Sequence, residues 1–191
     1  KAEKITGFYD GNIGNGNIKK LIANTNANFI SQRTTIKAKQ IDYDFINDEV
    51  NVKGSNIFME FKEGSINSDK SLSYNNKDQK IIVNGNVNIK IKNKGDIKAQ
   101  SVLIDIDKTG SITILKASKD VEIFLKNLQQ KVIADEANFD IQNSKINFLG
   151  SVVLHQGKSF LKGDKAFVDL KNGISRIASN EENSVSGFFK K

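Results

Sequence analysis

Apolar and polar residues alternate along most of the chain. In residues 81–91 (IIVNGNVNIKI), an apolar residue or a glycine occupies every second position. Strict alternation is typical of a β-strand that buries one face, because successive side chains point to opposite faces. No segment carries a sustained helical stripe. Residues 116–131 fit either a short helix or a strand, and the alternation of Val121, Ile123 and Leu125 favours a strand.

A similar pattern recurs about every thirty residues in five segments. Each segment opens with an aliphatic residue and has a small residue two positions later. Further inward candidates follow at the fifth and seventh positions after the first. The segments are IKAKQIDYDF from Ile36, INSDKSLSYN from Ile66, IKAQSVLIDI from Ile97, VIADEANFDI from Val132 and LKGDKAFVDL from Leu161, and the second is the weakest because it places Ser71 and Ser73 at those positions. Such self-similarity predicts a fold of stacked units.

A second alternating strand follows three of the segments: VNVKGSN from Val50, IIVNGNV from Ile81 and INFLGSV from Ile146. The chain contains no proline, so its turns depend on glycine, asparagine, aspartate and serine. We predict turns at Asn47-Asp48, Asn75-Asn76, Lys108-Thr109-Gly110, Asn143-Ser144 and Lys171-Asn172-Gly173. Each unit is therefore a strand, a tight turn and a strand. Stacking the units buries their apolar faces, which predicts an elongated all-β body in a single domain, residues 1–191, with open edges at both ends.

Within the first strand of each unit, the inward positions switch between even-numbered and odd-numbered residues, which is a change of parity. A regular strand places Ile36 and Ala38 on one face but Ile41 and Tyr43 on the other. A bulge or bend that adds a residue restores a single inward face. We predict this feature at Lys39-Gln40, Gln100-Ser101, Asp135-Glu136 and Asp164-Lys165.

Candidates for catalysis and metal binding are few. The chain has no cysteine and one histidine, His155. A Ser-His-Asp arrangement would use it as a base beside Ser151 or Ser159. Its parity is opposite to that of Val152 and Leu154, so we predict instead that it faces solvent near a turn. We expect no metal site, no cofactor and no enzymatic activity.

Acidic pairs and glycines offer little more. The pairs are Asp42/Asp44, Asp105/Asp107 and Asp135/Glu136, which recur at equivalent places in the repeat near turns, where aspartate is favoured. The glycine-rich segment 11–20 (GNIGNGNIKK) lacks the order and context of a dinucleotide-binding motif, and we predict a loop or frayed edge there.

The chain carries a formal charge of +7 and has a sequence pI of about 9.4. An AT-rich genome explains this excess of lysine as well as an anionic partner does, and both explanations stay open. Nucleic acid is not expected as a partner, because the lysines are dispersed and Arg33 and Arg176 are the only arginines. No apolar run reaches the roughly 18 residues that span a bilayer. Because the sequence starts at a lysine, removal of a signal peptide or an anchor also stays open.

Residues 133–177 resemble the lipopolysaccharide-transport proteins of the LptA/OstA type. The residues that carry the resemblance are Ala134-Asp135-Glu136-Ala137, Gly150-Ser151-Val152 (with serine for the usual asparagine), Lys162-Gly163-Asp164-Lys165, Asp169-Leu170-Lys171 and the closing Val185-Ser186-Gly187-Phe188-Phe189. The order and spacing of these motifs are more specific than any one of them.

The front half is more similar to LptC, the membrane-anchored relative. The matching residues are Ile5-Thr6-Gly7-Phe8, Lys20-Leu21-Ile22-Ala23, Glu63-Gly64-Ser65-Ile66 and Ile81 to Val87. We therefore describe residues 1–100 as more LptC-like and residues 133–191 as more LptA-like. The choice between the two roles stays open.

The resemblance implies a twisted β-jellyroll, open at both ends, in the periplasm, with or without an inner-membrane anchor outside this sequence. It implies that lipopolysaccharide acyl chains lie in an apolar groove, and that the protein joins other Lpt jellyrolls, or copies of itself head to tail, by edge-strand pairing. The inward parity then gives the lipid-binding candidates Ile36, Ile41, Tyr43, Val83, Val87, Ile89, Ile97, Val102, Ile104, Phe139, Phe148, Val152, Leu154, Leu161 and Val168. Core packing requires the same inward apolar side chains, and the alternative function is a structural β-solenoid of the adhesin type.

Overall fold

The computed structural model describes residues 1–11, 16–31, 34–180 and 184–189. Residues 12–15 of the predicted loop and Arg33 therefore lie outside the described residues. The strands are β1 Lys4–Tyr9, β2 Ile18–Ile30, β3 Thr35–Asp44, β4 Glu49–Lys53, β5 Ile57–Phe61, β6 Gly64–Ser68, β7 Ser71–Asn75, β8 Lys80–Ile91, β9 Gly95–Ile106, β10 Ile112–Leu125, β11 Gln130–Asp140, β12 Lys145–Gln156, β13 Ser159–Asp169, β14 Ile174–Ala178 and β15 Ser186–Phe188. Among these residues no helix is long and apolar enough to cross a membrane.

The strands pair antiparallel with their neighbours, in the order β1-β2-β3-β4-β7-β8-β9-β10-β11-β12-β13-β14. The hairpin of β5 and β6 fits between β3 and β8, and β15 pairs with β13. The prediction of stacked antiparallel hairpins is confirmed. The strand interpretation of residues 116–131 is also confirmed, because this segment covers most of β10, a turn and the start of β11.

Each long strand bends near its middle, and its two halves lie in two facing layers. The first layer contains β1, β4, β7 and β14, and the second contains β5, β6 and β15. The strands β2, β3 and β8 to β13 contribute one half to each layer. The apolar faces of both layers meet in one hydrophobic core, which removes the apolar side chains from water.

The predicted change of parity is confirmed in β3, β9, β11 and β13. In β3, Ile36 and Ala38 are buried before the step and Ile41 is buried after it, while Lys39 and Gln40 lie outside the core. The same two-residue step occurs at Gln100-Ser101, Asp135-Glu136 and Asp164-Lys165. The second copy of the repeat is an exception, because Leu72 and Tyr74 face the core in place of the aligned serines.

The prediction that these strands carry the extra residue is wrong, because it lies in their partners β2, β8, β10 and β12. Asn84 of β8 pairs with Ser101 of β9, and Val87 pairs with Ala99, so β8 has one residue more at the bend. The partner strands turn through two consecutive residues with positive φ, a conformation that gives a bulge its sharp bend. These pairs are Thr25-Asn26, Gly85-Asn86, Lys119-Asp120 and Gly150-Ser151.

The bulge is invisible in the pattern of the strand that contains it. Val83 and Val87 are four residues apart, an even separation that keeps both on one apparent face of a regular strand. Opposite them, Val102 and Ala99 are three residues apart, and this odd separation produces the parity change. The change of parity in one strand is therefore caused by the extra residue in the neighbouring strand.

Small side chains occupy the inward positions beside the bend. Ala99 and Ala134 precede the step in β9 and β11, and both are buried. Ser68 takes the equivalent place in β6, where its hydroxyl donates to the carbonyl oxygen of Asn84 at 2.6 Å. The two layers come close together where they join, and only small inward side chains fit there. The repeated small residue of the sequence pattern therefore marks the positions of the bends.

The bulge makes a specific prediction about glycine substitutions. A β-carbon on Gly85 (φ 85°) would lie 2.5 Å from Cβ of Lys70, whereas one on Gly157 (φ 59°) would meet nothing within 4 Å. Both Gly→Ala variants place an L-residue in the left-handed region, at a cost of about 1 kcal/mol. Only Gly85→Ala adds a clash, so we expect it to lower the free energy of unfolding by about 2–4 kcal/mol in denaturant titrations, against about 1 kcal/mol for Gly157→Ala. Equal losses would contradict the close packing at the bend.

Candidate functional site

The hairpin turns of the two layers lie along the side of the molecule opposite the bends and form two lips. The first lip consists of the turns of the first layer, residues 45–48, 76–79, 107–111, 141–144 and 170–173. The second lip consists of the described residues in the turns of the second layer, 31 and 34, 62–63, 92–94, 126–129 and 157–158. The space between the lips leads to the apolar interior, and this is the candidate site.

Carboxylates at the strand ends order the turns of the first lip. Asp140 accepts a backbone N–H bond from Asn143 at 2.9 Å and a side-chain bond from the same residue at 2.7 Å. Asp44 binds Asn47 in the same way, and Asp169 binds Asn172. These turns include Asn47-Asp48, Asn143-Ser144 and Lys171-Asn172-Gly173, whose prediction as turns is confirmed.

The hydrogen bonds hold the pKa of these carboxyl groups below the ordinary value. The largest cause for Asp140 is the side-chain bond from Asn143, and for Asp169 it is the backbone bond from Asn172. For Asp44 the largest cause that lowers the pKa is the backbone bond from Asn47. Asp107 is similar, with the hydroxyl of Thr109 as its main donor. The negative charges of the first lip are therefore used to stabilise the turns.

The second lip is basic. Its turns carry Lys62, Lys92, Lys94, Lys126 and Lys158, and none of these forms an ion pair with a carboxylate of the described residues. The amine of Lys92 donates to the backbone carbonyl of Lys62 at 3.0 Å, which draws neighbouring turns of this lip together. Turns ordered by acidic side chains thus face turns whose ammonium groups have no carboxylate partner among the described residues.

The lips are separated in the N-terminal half by a cavity of about 400 Å³, which we call the mouth. Its rim is mostly polar, and its floor consists of inward aliphatic and aromatic side chains from both layers. The floor residues are Phe29, Ile36, Tyr43, Val50, Met59, Phe61, Ile66, Tyr74, Ile81, Ile106 and Ile112, and the rim residues are Ser31, Thr34, Asp48, Asn76, Gln79, Lys108 and Gly110. The mouth is therefore amphipathic, with polar groups outside and apolar groups inside.

Two tyrosines connect the floor to the rim. The hydroxyl of Tyr43 donates to Asp48 Oδ1 at 2.7 Å, and that of Tyr74 donates to Asn76 Oδ1 at 2.8 Å. The bond to Asp48 is the main reason that the pKa of Tyr43 is raised to about 12. The ring of Tyr43 stacks with that of Phe29 from the other layer, with centroids 6.2 Å apart.

Polar contacts join the lips in the C-terminal half. The amine of Lys94 in the second lip donates to the carbonyl oxygen of Ile141 at 2.8 Å and reaches Ser144 Oγ at 3.3 Å. Further along, the hydroxyl of Ser175 in β14 donates to Gln130 Oε1 at the start of β11, at 2.8 Å. The groove is thus open towards β1 and tied shut towards β14.

Of the fifteen predicted groove residues, all but Tyr43 and Leu161 are fully buried, and those two are half-buried. Ile36 and Tyr43 line the mouth, whereas Leu154 and Leu161 border a smaller cavity beside Phe189. The other members of the set are Ile41, Val83, Val87, Ile89, Ile97, Val102, Ile104, Phe139, Phe148, Val152 and Val168, which pack in the core. Their contact with lipid stays a prediction.

Sequence reasoning missed several mouth residues, notably Met59, Phe61 and Ile112. Met59 and Phe61 alternate with Phe58 and Glu60 in β5, so the signal was present. The repeat pattern does not reveal this segment, because β5 lies between two aligned copies of the repeat, where the bent strand is broken into β4 and β5. Ile112 opens β10, directly after a predicted turn.

The residues considered for catalysis do not form a reactive group. His155 lies on the outer face of β12, opposite the buried Leu154, as predicted, and it is half-buried there because its ring lies 6.1 Å from that of Phe160. Within the acidic pairs, Asp42 forms an ion pair with Lys20 at 3.2 Å, while Asp44 stabilises a turn. Among the described residues, no cluster of three His, Cys, Asp or Glu could hold a metal ion.

Comparisons with known proteins relate this architecture to a family. Residues 131–187 match the model of the LptA/(LptD N-terminal domain) LPS transport protein family. The similarity to this family extends over that segment of the chain. The matched residues include the motifs that suggested the resemblance in residues 133–177, and this family is one of transport and binding proteins. No curated protein matches the sequence.

A solved structure shares the fold over a larger part of the chain. The crystal structure of LptH, the LptA-homologous periplasmic component of the lipopolysaccharide transport device of Pseudomonas aeruginosa, superposes with a TM-score of 0.58. The match covers 66% of this chain and 94% of LptH, at 11% sequence identity. The predicted β-jellyroll of the LptA type is thus confirmed.

The turn carboxylates predict acid lability of the first lip. The pKa values of Asp44, Asp107, Asp140 and Asp169 are lowered from 3.8 in the fold. Their contribution to stability is therefore complete above that value and is lost as the pH falls through the lower pKa values of the folded state. We expect Tm to be level from about pH 7 to pH 5 and to fall between about pH 4 and pH 2.

Asp140→Asn tests one of these carboxylates. The amide keeps an acceptor oxygen for Asn143 but does not titrate, so this variant's Tm should be lower at neutral pH and should fall less steeply in acid. Thermal unfolding followed by circular dichroism at a series of pH values measures both slopes. Parallel curves for the two proteins would show that the Asp140 carboxylate does not contribute to the acid transition.

Proposed function

We propose that the protein carries the acyl chains of lipopolysaccharide in the groove between its layers, with the mouth as the place of entry. The observation that supports this most is the mouth itself, an apolar floor beneath a polar rim. An acyl chain can lie on the floor while the attached sugar headgroup stays at the rim in water. The volume of about 400 Å³ is in the range of small-molecule sites, about 300–1,000 Å³.

Transfer of acyl chains from water supplies the driving force. Each buried methylene contributes about 0.8 kcal/mol, so about ten methylenes contribute about 8 kcal/mol before the cost of ordering the chain. The closed core beyond the mouth means that deeper insertion requires the layers to separate. A structural β-solenoid has no need for an open apolar floor, which is why we favour the carrier over this alternative.

We also propose that the protein acts in the periplasm and associates end to end with other Lpt jellyrolls or with its own copies. Within the described part of the chain, β1 at the N-terminal end pairs with β2 alone, and β14 and β15 at the C-terminal end both pair with β13. The outer edges of these strands are available for further pairing. Large apolar side chains are exposed at both ends, including Ile5 (58%) and Phe8 (47%) at one and Phe188 (51%) and Phe189 (73%) at the other.

Photo-crosslinking tests the place of lipid entry. Benzoylphenylalanine would replace Phe29 or Phe61 in the mouth, and Phe124, which is 38% exposed on the outer face of β10, gives a matched control. We expect lipopolysaccharide adducts in cells from Phe29 and Phe61 and none above background from Phe124. Phe148 and Val152 are poorer positions because they are fully buried. Equal adducts at all three positions, or none in the mouth, would refute entry there.

Self-association tests the end-to-end arrangement. A charge at an exposed apolar end should oppose pairing, so Phe189→Asp should remain close to the monomer mass of 21.2 kDa as concentration rises. The unmodified chain should gain apparent mass in sedimentation velocity over the same range. Ile82→Asp is the control, because Ile82 is exposed on the outer face of β8 and away from the ends. If Phe189→Asp associates as the unmodified chain does, this end does not mediate association.

A further inference from the structure

Lys94 joins the two lips at the boundary between the open part of the groove and the closed part. It lies in the turn between β8 and β9, in the second lip, and its amine reaches across to the turn between β11 and β12 in the first lip. The same amine lies 5.7 Å from the centroid of the Phe139 ring, directly above the core. A single side chain therefore spans the groove.

This contact forms the inner boundary of the mouth. The last floor residue on the first layer is Ile112, at the start of β10. The next strand along the layer ends beside it, because the N–H of Ile141 donates to the carbonyl oxygen of Thr113 at 2.9 Å. The carbonyl oxygen of the same residue, Ile141, accepts the hydrogen bond from the Lys94 amine. Behind the boundary the inward side chains are closed to solvent, with Phe139 only 2% exposed.

The partners that hold Lys94 are neutral. Its amine bonds to a backbone carbonyl and a hydroxyl, and partial burial lowers its pKa against the opposing effect of Asp140. An ammonium group gains more from an anionic oxygen than from a neutral one, since charge-assisted hydrogen bonds are roughly twice as strong. The neighbouring Lys62 and Lys92 add positive charge to the same lip and would draw an anion towards it.

We propose that Lys94 is a latch between the lips, and that a phosphate group on the headgroup of the bound amphiphile releases it. The phosphate takes the amine from Ile141 and Ser144, the lips separate, and the acyl chains extend from the mouth into the C-terminal half. An amphiphile without phosphate is then held at the mouth. This inference rests on the proposed function, because it assumes that acyl chains enter there.

The test compares two probes that differ in phosphate alone. One is a diphosphorylated acylated glucosamine disaccharide, and the other is the same molecule after removal of both phosphates. Their affinities would be measured by displacement of a fluorescent fatty acid from the purified protein. The unmodified chain should bind the phosphorylated probe at least about tenfold more tightly, because that probe alone opens the closed half.

Lys94→Met separates a latch from a simple anion contact. The variant keeps an unbranched side chain but lacks the donors that tie the lips, so the unphosphorylated probe should bind about tenfold more tightly than it does to the unmodified chain. Lys90→Met is the matched control, because Lys90 is exposed on the outer face of β8, outside both lips, and its loss should leave both affinities unchanged. If Lys94→Met weakens only the phosphorylated probe, Lys94 is an anion contact and the latch is refuted. An unchanged ratio of the two affinities would refute it as well.

A second variant tests the opening itself without a change at Lys94. The chain has no cysteine, so cysteines at Gln130 and Ser175, whose side chains meet across the groove, can be joined by a short cleavable linker. Joined lips should remove the advantage of the phosphorylated probe, and cleavage of the linker should restore it. Persistence of the advantage with the lips joined would overturn the proposal. If neither probe displaces the fatty acid, the proposed lipid binding fails too, whereas binding that is indifferent to both changes refutes only the latch.

Discussion

The left-handed bulge in every second long strand is the constraint on which the rest of the structure depends. Each bulge adds one residue to a strand whose neighbour has none, and the pair bends as a unit. Repeated along the sheet, the bends divide it into two layers that face each other. A flat sheet of this composition would leave its apolar face in water, so the bulge decides whether a core forms. It also places the hairpin turns that the structure describes on the far side, where the lips of the groove arise.

The two lips differ because the turns are stabilised by different chemistry. In the first lip, aspartates at the strand ends accept bonds from the turns that follow, so their charge is satisfied locally. In the second lip, the turns carry lysines that find backbone or hydroxyl oxygens or no partner among the described residues. A groove between such lips is electrically asymmetric although its floor is apolar. For the cargo that we propose, this asymmetry favours an acidic headgroup over a neutral one.

Much of the fold could be predicted from the sequence, because alternation and turn residues are local signals. Stacked hairpins, the turns of the first lip and the inward face of β9 all follow from patterns within a few residues. The site of the bulge could not be read in this way. Gly85 sits in a strand with perfect alternation, and the fault that it causes appears in β9, a different segment of the chain. Which strand holds an extra residue depends on the register between two strands, and the sequence of one strand alone does not determine that register.

The candidate groove shows the same limit. Inward parity identified side chains that lie inside the protein, but it could not separate Ile36, which borders the mouth, from Ile104, which is packed in the core. That difference depends on how closely the two lips approach at each point. The distance between the lips is set by side chains such as Lys94, which bonds to a residue 47 positions away in the sequence. No periodic pattern in the sequence predicts such a contact.

The order of strands in the sheet has a consequence for the size of this protein. Apart from the β5–β6 hairpin and β15, each strand pairs with its neighbours along the chain. The pair β4 and β7 follows the same rule once the inserted β5–β6 hairpin is passed over. Removing or adding one bent hairpin would leave the pairing of all other hairpins unchanged. The groove is therefore modular in length, because adding or removing a hairpin would lengthen or shorten it without a new fold and without a new way of closing the core.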